Sequence, residues 1–290
     1  MDQSKTPLVP PLAGRYDVGA TTVYAARRDP RFSYCLYVPD ALGRGQTPGD
    51  IVAVVHGSPR TFMDFRDRFG DFAERHNVVI VSPLFPVGLD DDAKGDDYKY
   101  LSRGGIRYDH VLLDIVAEVR QRFSLHAPRF GLFGFSGGAQ FVNRFLLLQP
   151  DSLWAASLGA PGSVTVVDDS RDWWVGTRDI EACFGAPLDR EALRRVPVQL
   201  LVGSDDLETD EITHREGGRF WMTDANSAGR SRPQRLETLH RSLALAGVSV
   251  THQVMQGAGH DAAPAIEHAK PFLAAQLLEH RRSAQVTLSL

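Results

Sequence analysis

Short apolar runs rich in β-branched residues alternate along this chain with longer amphipathic stretches, and this alternation restricts the possible folds more than any other feature. The runs IVAVVHG, VVIVSPLF, RFGLFGF and VPVQLLVG have the length and composition of buried strands. The stretch HVLLDIVAEVRQRF repeats its apolar residues every three or four positions, as a helix covering a sheet does. The sequence therefore predicts an α/β fold with a mostly parallel central sheet flanked by helices.

Further elements follow from the same patterns. TTVYAA and FSYCLYVP predict a hairpin-like pair of strands at the sheet edge. Phe62, Phe65, Phe69 and Phe72 are spaced by three or four residues, so we expect one helix that packs these rings on the sheet. AIEHAKPFLAAQLLEHRR predicts a C-terminal helix with a kink or a restart at Pro271.

The 290 residues contain no long Pro/Gly/Ser linker, and we expect one domain over 1–290. The stretch at about 162–190, with Trp173 and Trp174, does not fit the regular layering. It is either a small cap over the carboxyl ends of the strands, where open α/β sheets bind ligands, or a packing excursion anchored by the two tryptophans.

The acidic run LDDDAKGDDYKY fails the EF-hand pattern, because Lys94 and Leu101 fall where oxygen ligands are needed, so we expect a solvated surface loop.

Composition argues against several classes of partner. A formal net charge of −4 gives no broad attraction to nucleic acid or to anionic membranes. No apolar run approaches the roughly 18 residues of a membrane span, and the N-terminal segment lacks the pattern of a secretory signal. We therefore expect a cytoplasmic protein without nucleic-acid or membrane partners. The two cysteines, Cys35 and Cys183, fit reduced thiols better than a disulfide. Since neither has metal-ligand spacing, we expect no metal, and we expect no cofactor.

The pentapeptide Gly134-Phe135-Ser136-Gly137-Gly138 directly follows a predicted strand and directly precedes a predicted helix. In this context G-x-S-x-G forms a tight, strained turn that thrusts the serine side chain into a pocket. The flanking glycines permit the close approach of backbone that such a turn requires. The sequence thus predicts Ser136 as a nucleophile, and the alternative is a Gly-rich turn with a capping serine.

A serine hydroxyl needs a base that takes its proton, so the prediction requires a histidine late in the chain. His260 follows Gly257-Ala258-Gly259 at the end of the last predicted strand, whereas His240 and His268 fall in predicted helices and His252 in a strand. We predict that His260 is the base.

An acid that accepts the second imidazole N–H should follow the preceding strand. Asp206, third after Gly203, is our choice, and Asp205 is the main alternative, ahead of Glu208 and Asp210.

Two backbone amides are expected to stabilise an oxyanion. The loop Val55-His56-Gly57-Ser58-Pro59-Arg60 follows the first long apolar strand, and the amide of Ser58 is the natural donor because Pro59 has no N–H. Gly137, at the start of the next helix, supplies the second N–H. His56 is expected to brace the loop.

On these residues the chain resembles the α/β-hydrolase superfamily over nearly its whole length. HGSPR, GFSGG, LVGSDDLETDE and GAGHD are similar to bacterial polyhydroxybutyrate depolymerase-like and feruloyl-esterase-like enzymes. The resemblance implies Ser136, Asp206 and His260 as a catalytic triad that hydrolyses the carboxylic ester of a small-molecule or oligomeric acyl substrate. An amidase or peptidase, a lactone hydrolase and a non-catalytic binding protein stay open as alternatives, because fold and triad do not choose the leaving group.

Candidate substrate-binding residues are Trp173, Trp174 and Arg60. Arg60, Arg103 and Arg107 lie in or near loops that could border the pocket, so an anionic substrate is conceivable. The alternative is that these arginines are solvated or structural.

Overall fold

The structure is a computed structural model that describes residues 17–43, 49–89 and 95–288, without the side chains of 286–288. Within these residues, ten strands are β1 Gly19–Ala25, β2 Ser33–Val38, β3 Asp50–Val55, β4 Val78–Leu84, β5 Ser102–Arg103, β6 Ile106–Arg107, β7 Phe130–Phe135, β8 Leu153–Gly159, β9 Val198–Gly203 and β10 Val250–Met255. Eight of them form one sheet in the order β1-β2-β4-β3-β7-β8-β9-β10, while β5 and β6 form a separate ribbon.

The sheet is mostly parallel, as the sequence predicts. β4, β3, β7, β8, β9 and β10 run in one direction, and β2 is antiparallel to both of its neighbours. The pair β1–β2 is the predicted edge hairpin. Every residue of β7, β8 and β9 is buried, because helices cover both faces of a parallel sheet.

Helices in the described part of the chain are α1 Asp40–Gly43, α2 Phe62–Arg68, α3 Gly70–His76, α4 Tyr108–Phe123, α5 Gly137–Leu148, α6 Ile180–Phe184, α7 Arg190–Arg194, α8 Arg232–Leu245 and α9 Ala262–Leu288. The apolar face of α4 is buried, which confirms the helix predicted from its periodicity. Among the described helices, none combines the length and the apolar character that crossing a membrane would require.

The predicted single helix over the four phenylalanines is two helices. All four rings are buried as expected, but the backbone of Phe69 (φ −95°, ψ 4°) leaves helical geometry between α2 and α3. At this point Gly70 lies against the ring of Tyr37, only 2.8 Å from where a Cβ would stand. The break therefore lets the backbone approach β2 more closely than a side chain would allow.

Of the two outcomes predicted at Pro271, the restart is wrong, because α9 continues through this residue as one helix, and the kink stays a prediction. Ala269 and Leu273, on either side of Pro271, are both fully buried in the core. Their packing holds the two parts in one helix although Pro271 lacks an N–H.

The acidic run is not a solvated loop in the part that the structure describes. Its residues 90–94 lie outside the described residues, as does the N-terminal segment 1–16. Asp97, however, is buried, as are the rings of Tyr98 and Tyr100 that follow it in the chain, and it accepts a hydrogen bond of 2.8 Å from Arg219. The prediction of a solvated loop is wrong for this part, because the two aromatic neighbours draw the segment into the core.

Candidate active site

Ser136 stands alone between the last residue of β7 and the first residue of α5. Its backbone has φ 55° and ψ −115°, a region that residues with a side chain rarely adopt. The Ser136 N–H donates to the carbonyl of Gly159 on β8, at 2.8 Å, which pins the turn to the sheet. Strain of this kind persists only where the surroundings hold it in place.

The glycines on either side explain how so tight a turn is built. A Cβ on Gly134 would stand 2.4 Å from the carbonyl oxygen of Gly138, and a Cβ on Gly138 would stand 2.1 Å from that of Val55. Both distances are far below a van der Waals contact. The two positions therefore require glycine, for the steric reason that the sequence motif suggests.

The structure brings Ser136, His260 and Asp206 together in one hydrogen-bonded chain. Ser136 Oγ lies 3.0 Å from His260 Nε2, and His260 Nδ1 lies 2.7 Å from Asp206 Oδ2. With the ring proton on Nδ1, His260 donates to the carboxylate and can accept the serine proton on Nε2. The three residues follow β7, β9 and β10, whose carboxyl ends meet at one edge of the sheet.

The two loops that carry the histidine and the acid are fastened to each other. The N–H of Asp205 donates to the carbonyl of Ala258 at 3.0 Å, and the N–H of Gly257 donates to Ser204 Oγ at 2.8 Å. Asp205 itself is exposed and accepts a hydrogen bond from Ser204. It is Asp206, not Asp205, that the structure turns toward His260.

Asp206 is held by a second partner that the sequence does not reveal. Its side chain is fully buried, and Oδ1 accepts a hydrogen bond of 2.8 Å from the buried guanidinium of Arg232 at the start of α8. Arg232 also donates to Glu211, at 2.8 Å. Burial alone would raise the pKa of Asp206, but the hydrogen bond from His260 and the charge of Arg232 hold it below the ordinary value. Asp206 is therefore a carboxylate at neutral pH.

Ser58 and Gly137, whose amides are the predicted oxyanion donors, are neighbours in the structure. Ser58 Oγ is 3.3 Å from the point where a Cβ of Gly137 would stand. Within the described residues, nothing accepts a hydrogen bond from the N–H of Ser58 or of Gly137. Both donors are thus available to an oxygen atom bound next to Ser136.

His56 braces the loop that carries Ser58. It is fully buried, with Nδ1 2.8 Å from the carbonyl of Gly57 and Nε2 3.1 Å from the N–H of Phe85. Burial lowers the pKa of His56 to about 3, so the ring is neutral and fits one hydrogen bond given and one accepted. His56 is not placed to act as a base for Ser136.

Arg60 also stabilises the loop that carries Ser58. Its guanidinium donates to the carbonyls of Ser58, Phe85 and Gly95 and lies 5.0 Å from the ring centre of Tyr98. Through these contacts the guanidinium holds backbone carbonyls in place. This is the structural role that the sequence left open as the alternative to substrate binding.

A cavity of about 250 Å³ opens beside Ser136. Its wall includes Ser58 and Gln140, and a large part of it comes from residues between 211 and 221, in the long connection 204–231 between β9 and α8. We call this connection the wall segment. Its length is a signal that sequence inspection could have used, because most strand-to-helix connections are shorter than about six residues and long ones are often functional.

The other candidate substrate-binding residues do not reach this wall. Among the described residues that line it, Trp173, Trp174, Arg60, Arg103 and Arg107 are absent. Trp174 is buried, stacks edge-on against Tyr100 and donates its indole N–H to the carbonyl of Phe220, while Trp173 packs on Phe184. Trp174 thus stabilises the wall segment through its hydrogen bond to Phe220. Of the described residues in 162–190, Gly162 lines the cavity. A capping role for 162–190 stays a prediction.

One group of side chains away from Ser136 has the chemistry of metal ligands. Glu237 and His240 on α8 and His252 on β10 offer ligand atoms within 4.8 Å of one another. Burial lowers the pKa of His252 and favours the neutral ring that metals bind. Glu237 is already paired, with Arg241 at 3.0 Å and His252 at 3.3 Å. None of these residues lines the cavity.

The order of strands, the serine turn and the loops after β9 and β10 define the class: the chain has the α/β-hydrolase fold. Solved structures with this fold include poly(aspartic acid) hydrolase-1 from Sphingomonas sp. KT-1, 19% identical over 83% of this chain and 93% of that one, with a TM-score of 0.66. A poly(3-hydroxybutyrate) depolymerase from Bordetella parapertussis is 23% identical over 84% and 88%, at 0.65, and a ferulic acid esterase is 15% identical over 88% and 96%, at 0.59. No protein-family model and no curated protein sequence matches the chain.

Proposed function

We propose that this protein is a serine hydrolase that cleaves a carboxylic ester through an acyl-enzyme on Ser136. The observation that carries the proposal is the unbroken hydrogen-bonded chain from Ser136 through His260 to Asp206. A hydroxyl becomes nucleophilic when a positioned imidazole takes its proton, and a buried carboxylate stabilises the resulting imidazolium.

In the proposed mechanism, Ser136 Oγ attacks the ester carbonyl while its proton passes to His260 Nε2. The amides of Ser58 and Gly137 stabilise the negative oxygen of the tetrahedral intermediate. His260 then gives its proton to the departing alcohol. Water, deprotonated by His260, cleaves the acyl-enzyme and regenerates the serine.

The names of the solved structures support hydrolysis in general and esters in particular. They include a hydrolase, a depolymerase and an esterase, although at identities of 15 to 23% the likeness itself carries only the fold. The choice of ester over amide or lactone therefore rests on the resemblance of the sequence motifs, and a substrate panel decides it.

Two measurements test the proposal: hydrolysis of 4-nitrophenyl hexanoate, and covalent labelling by a fluorophosphonate probe. We expect Ser136→Ala to lower kcat by at least about 10⁴-fold and to abolish labelling. Ser249→Ala removes an exposed serine hydroxyl and should change neither readout. Wild-type rates or labelling in Ser136→Ala would refute the mechanism, while a wild-type protein that is neither labelled nor active on any ester, amide or lactone would favour a binding protein on this scaffold.

A further inference from the structure

Two fully buried arginines lie behind the cavity, and within the part of the chain that the structure describes neither has an acidic partner. Arg144 on α5 donates to the hydroxyls of Thr165 and Ser163 and to the carbonyl of Lys99, at 2.7 to 3.0 Å. Its guanidinium also lies 4.4 Å from the ring centre of Tyr100. In the described part of the chain, no carboxylate forms an ion pair with Arg144.

Arg235 on α8 is buried in the same manner. It donates to the carbonyls of Gly229, Gly162 and Ile212 and to the side-chain oxygen of Asn226. Among the described residues, carboxylates are absent from its contacts as well. Burial lowers the pKa of Arg144 and of Arg235 to about 10, so both remain charged at neutral pH. A buried charge that lacks a counter-charge is costly, and a bound anion would offset the cost.

The charges on the wall itself largely cancel. Lys99 pairs with Asp96 at 2.5 Å, Arg219 pairs with Asp97 at 2.8 Å, and Arg232 is shared between Asp206 and Glu211. Among the described residues, the exposed Arg215 has Asp210, at 3.8 Å, as its ion-pair partner. Arg144 and Arg235 are therefore a surplus of positive charge at this cavity.

The surplus acts on the cavity because the two arginines hold the wall directly. Gly162 and Ile212, which accept hydrogen bonds from Arg235, are wall residues, and so is Lys99, which accepts from Arg144. The positive charges of the two arginines also act on His214, which lines the wall. Burial, followed by the charges of Arg235 and Arg144, lowers the pKa of His214 to about 4. At neutral pH His214 thus adds no charge of its own.

We propose that the cavity selects acyl substrates that carry a carboxylate on the acyl chain, drawn in by the surplus charge of Arg144 and Arg235 and met at the wall by Arg215. The inference rests on the proposed function and adds a substrate class to it. Arg144 and Arg235 are positioning residues in this scheme, because other residues lie between them and the cavity. Arg215 is the group that an incoming carboxylate can contact.

Three esters with the same leaving group and chain length test the proposal: the mono-4-nitrophenyl ester of adipic acid, 4-nitrophenyl hexanoate and 4-nitrophenyl 6-aminohexanoate. We expect kcat/KM to favour the anionic ester over the neutral one by about 10-fold or more, mainly through KM, and to be lowest for the cationic ester. Added salt should shrink the preference. Equal kcat/KM for the three esters, or a preference for the cationic one, would overturn the proposal.

A charge reversal on the wall separates electrostatic selection from a structural role of the arginines. Arg215→Glu should remove or invert the ratio of kcat/KM for the anionic ester over the neutral ester, and the fold should persist because Arg215 is exposed and its loss leaves no buried charge. Arg230→Glu makes the same change at an exposed residue of the same segment that does not line the cavity, and should leave the preference intact. A preference unchanged in Arg215→Glu contradicts the proposal.

A binding measurement keeps the two proposals apart. Ser136→Ala retains the charges of the cavity, so calorimetry should detect adipate binding to it and far weaker binding of hexanamide. If wild-type protein hydrolyses no ester while Ser136→Ala binds adipate, the hydrolase proposal fails and the anion site stands. If esters are cleaved but adipate and hexanamide bind alike, the anion site fails alone.

Discussion

Ser136 combines a chemical role with an unfavourable backbone conformation. Its φ of 55° places Cβ close to the backbone, and such conformations cost about 1–3 kcal/mol for residues other than glycine. The hydrogen bond to Gly159 and the packing of Gly138 on Val55 supply the surroundings that hold the turn. The residue on which the proposed chemistry depends is thus one that local backbone energetics disfavour.

This conformation predicts a difference between two inactive variants. Ser136→Ala and Ser136→Gly both remove Oγ, but only glycine also removes the strained Cβ, so we expect Ser136→Gly to be the more stable by about 1 kcal/mol. Urea unfolding of both proteins measures the difference. The same pair of changes at the exposed Ser249 should favour alanine. Equal stability of the two Ser136 variants would show that the turn is unstrained.

The sequence identifies Ser136 and His260 because each lies in a short local pattern: a glycine-flanked turn in one case and a glycine-rich loop after the last strand in the other. Asp206 is different, because Asp205 occupies the same turn. The hydrogen bonds from the Asp206 N–H to Gly203 and from the Asp205 N–H to Ala258, together with the contacts of Asp206 to His260 and Arg232, determine which carboxylate faces inward. Such a choice depends on contacts with a loop more than fifty residues away, and local sequence does not contain it.

At the scale of elements, the start of α8 connects three parts of the site. Arg232 binds Asp206 at the end of β9 and Glu211 in the wall segment, so one guanidinium links helix, acid and cavity wall. The sequence does not reveal this link, since nothing near Arg232 in the chain marks its partners. The break at Phe69 escapes prediction for a similar reason, because it depends on the ring of Tyr37 in another element.

Replacing Arg232 by methionine keeps most of the side-chain volume and removes the charge. Asp206 would then keep a buried oxygen without a counter-charge, and we expect a loss of about 3–5 kcal/mol in the free energy of unfolding together with a fall in kcat. Urea unfolding and ester kinetics measure the two effects. Arg230→Met, an exposed change two residues earlier, is the control and should leave both nearly unchanged. A variant at position 232 with wild-type stability and kcat would disprove the link.

On the scale of the whole molecule, alternating patterns were enough to predict the sheet, the edge hairpin and the helices α4, α5, α8 and α9. The walls of the cavity were not predictable in this way, because they come from irregular segments with no periodicity. The buried charges could not be predicted from the sequence either. Arg144 and Arg235 have the pattern of ordinary polar positions on amphipathic helices, and only the folded wall segment and residues 162–165 cover them.

Two neutral histidines, the fully buried His56 and the half-buried His214, give the stability of the molecule a pH dependence. The pKa values of His56 and His214 are lowered to about 3 and about 4, whereas an unfolded chain takes up these protons near pH 6.5. Between these limits the unfolded state binds more protons, so stability is complete above about pH 6.5 and falls as the pH drops. Each such imidazole changes the free energy of unfolding by up to about 1.4 kcal/mol per pH unit in this range.

We therefore expect the free energy of unfolding to decline between pH 6.5 and 4.5, and His56→Gln to make the decline less steep. The slope is the readout, because this variant also loses the hydrogen bond to Phe85 and is less stable at every pH. His126→Gln removes an exposed imidazole and should retain the wild-type slope. An unaltered slope in His56→Gln would mean that His56 titrates alike in the folded and unfolded chain.

The bond between Arg232 and Glu211 also bears on how proteins of this kind can diverge. Among the described wall residues at 212–221, none forms a hydrogen bond or ion pair with Ser136, His260 or Asp206, so a lineage can exchange those positions and acquire a new substrate without disturbing the acid. Glu211 is the exception, because the guanidinium that holds it also holds Asp206. Inherited changes at this one position of the wall would alter selectivity and rate together, whereas elsewhere on the wall the two can evolve separately.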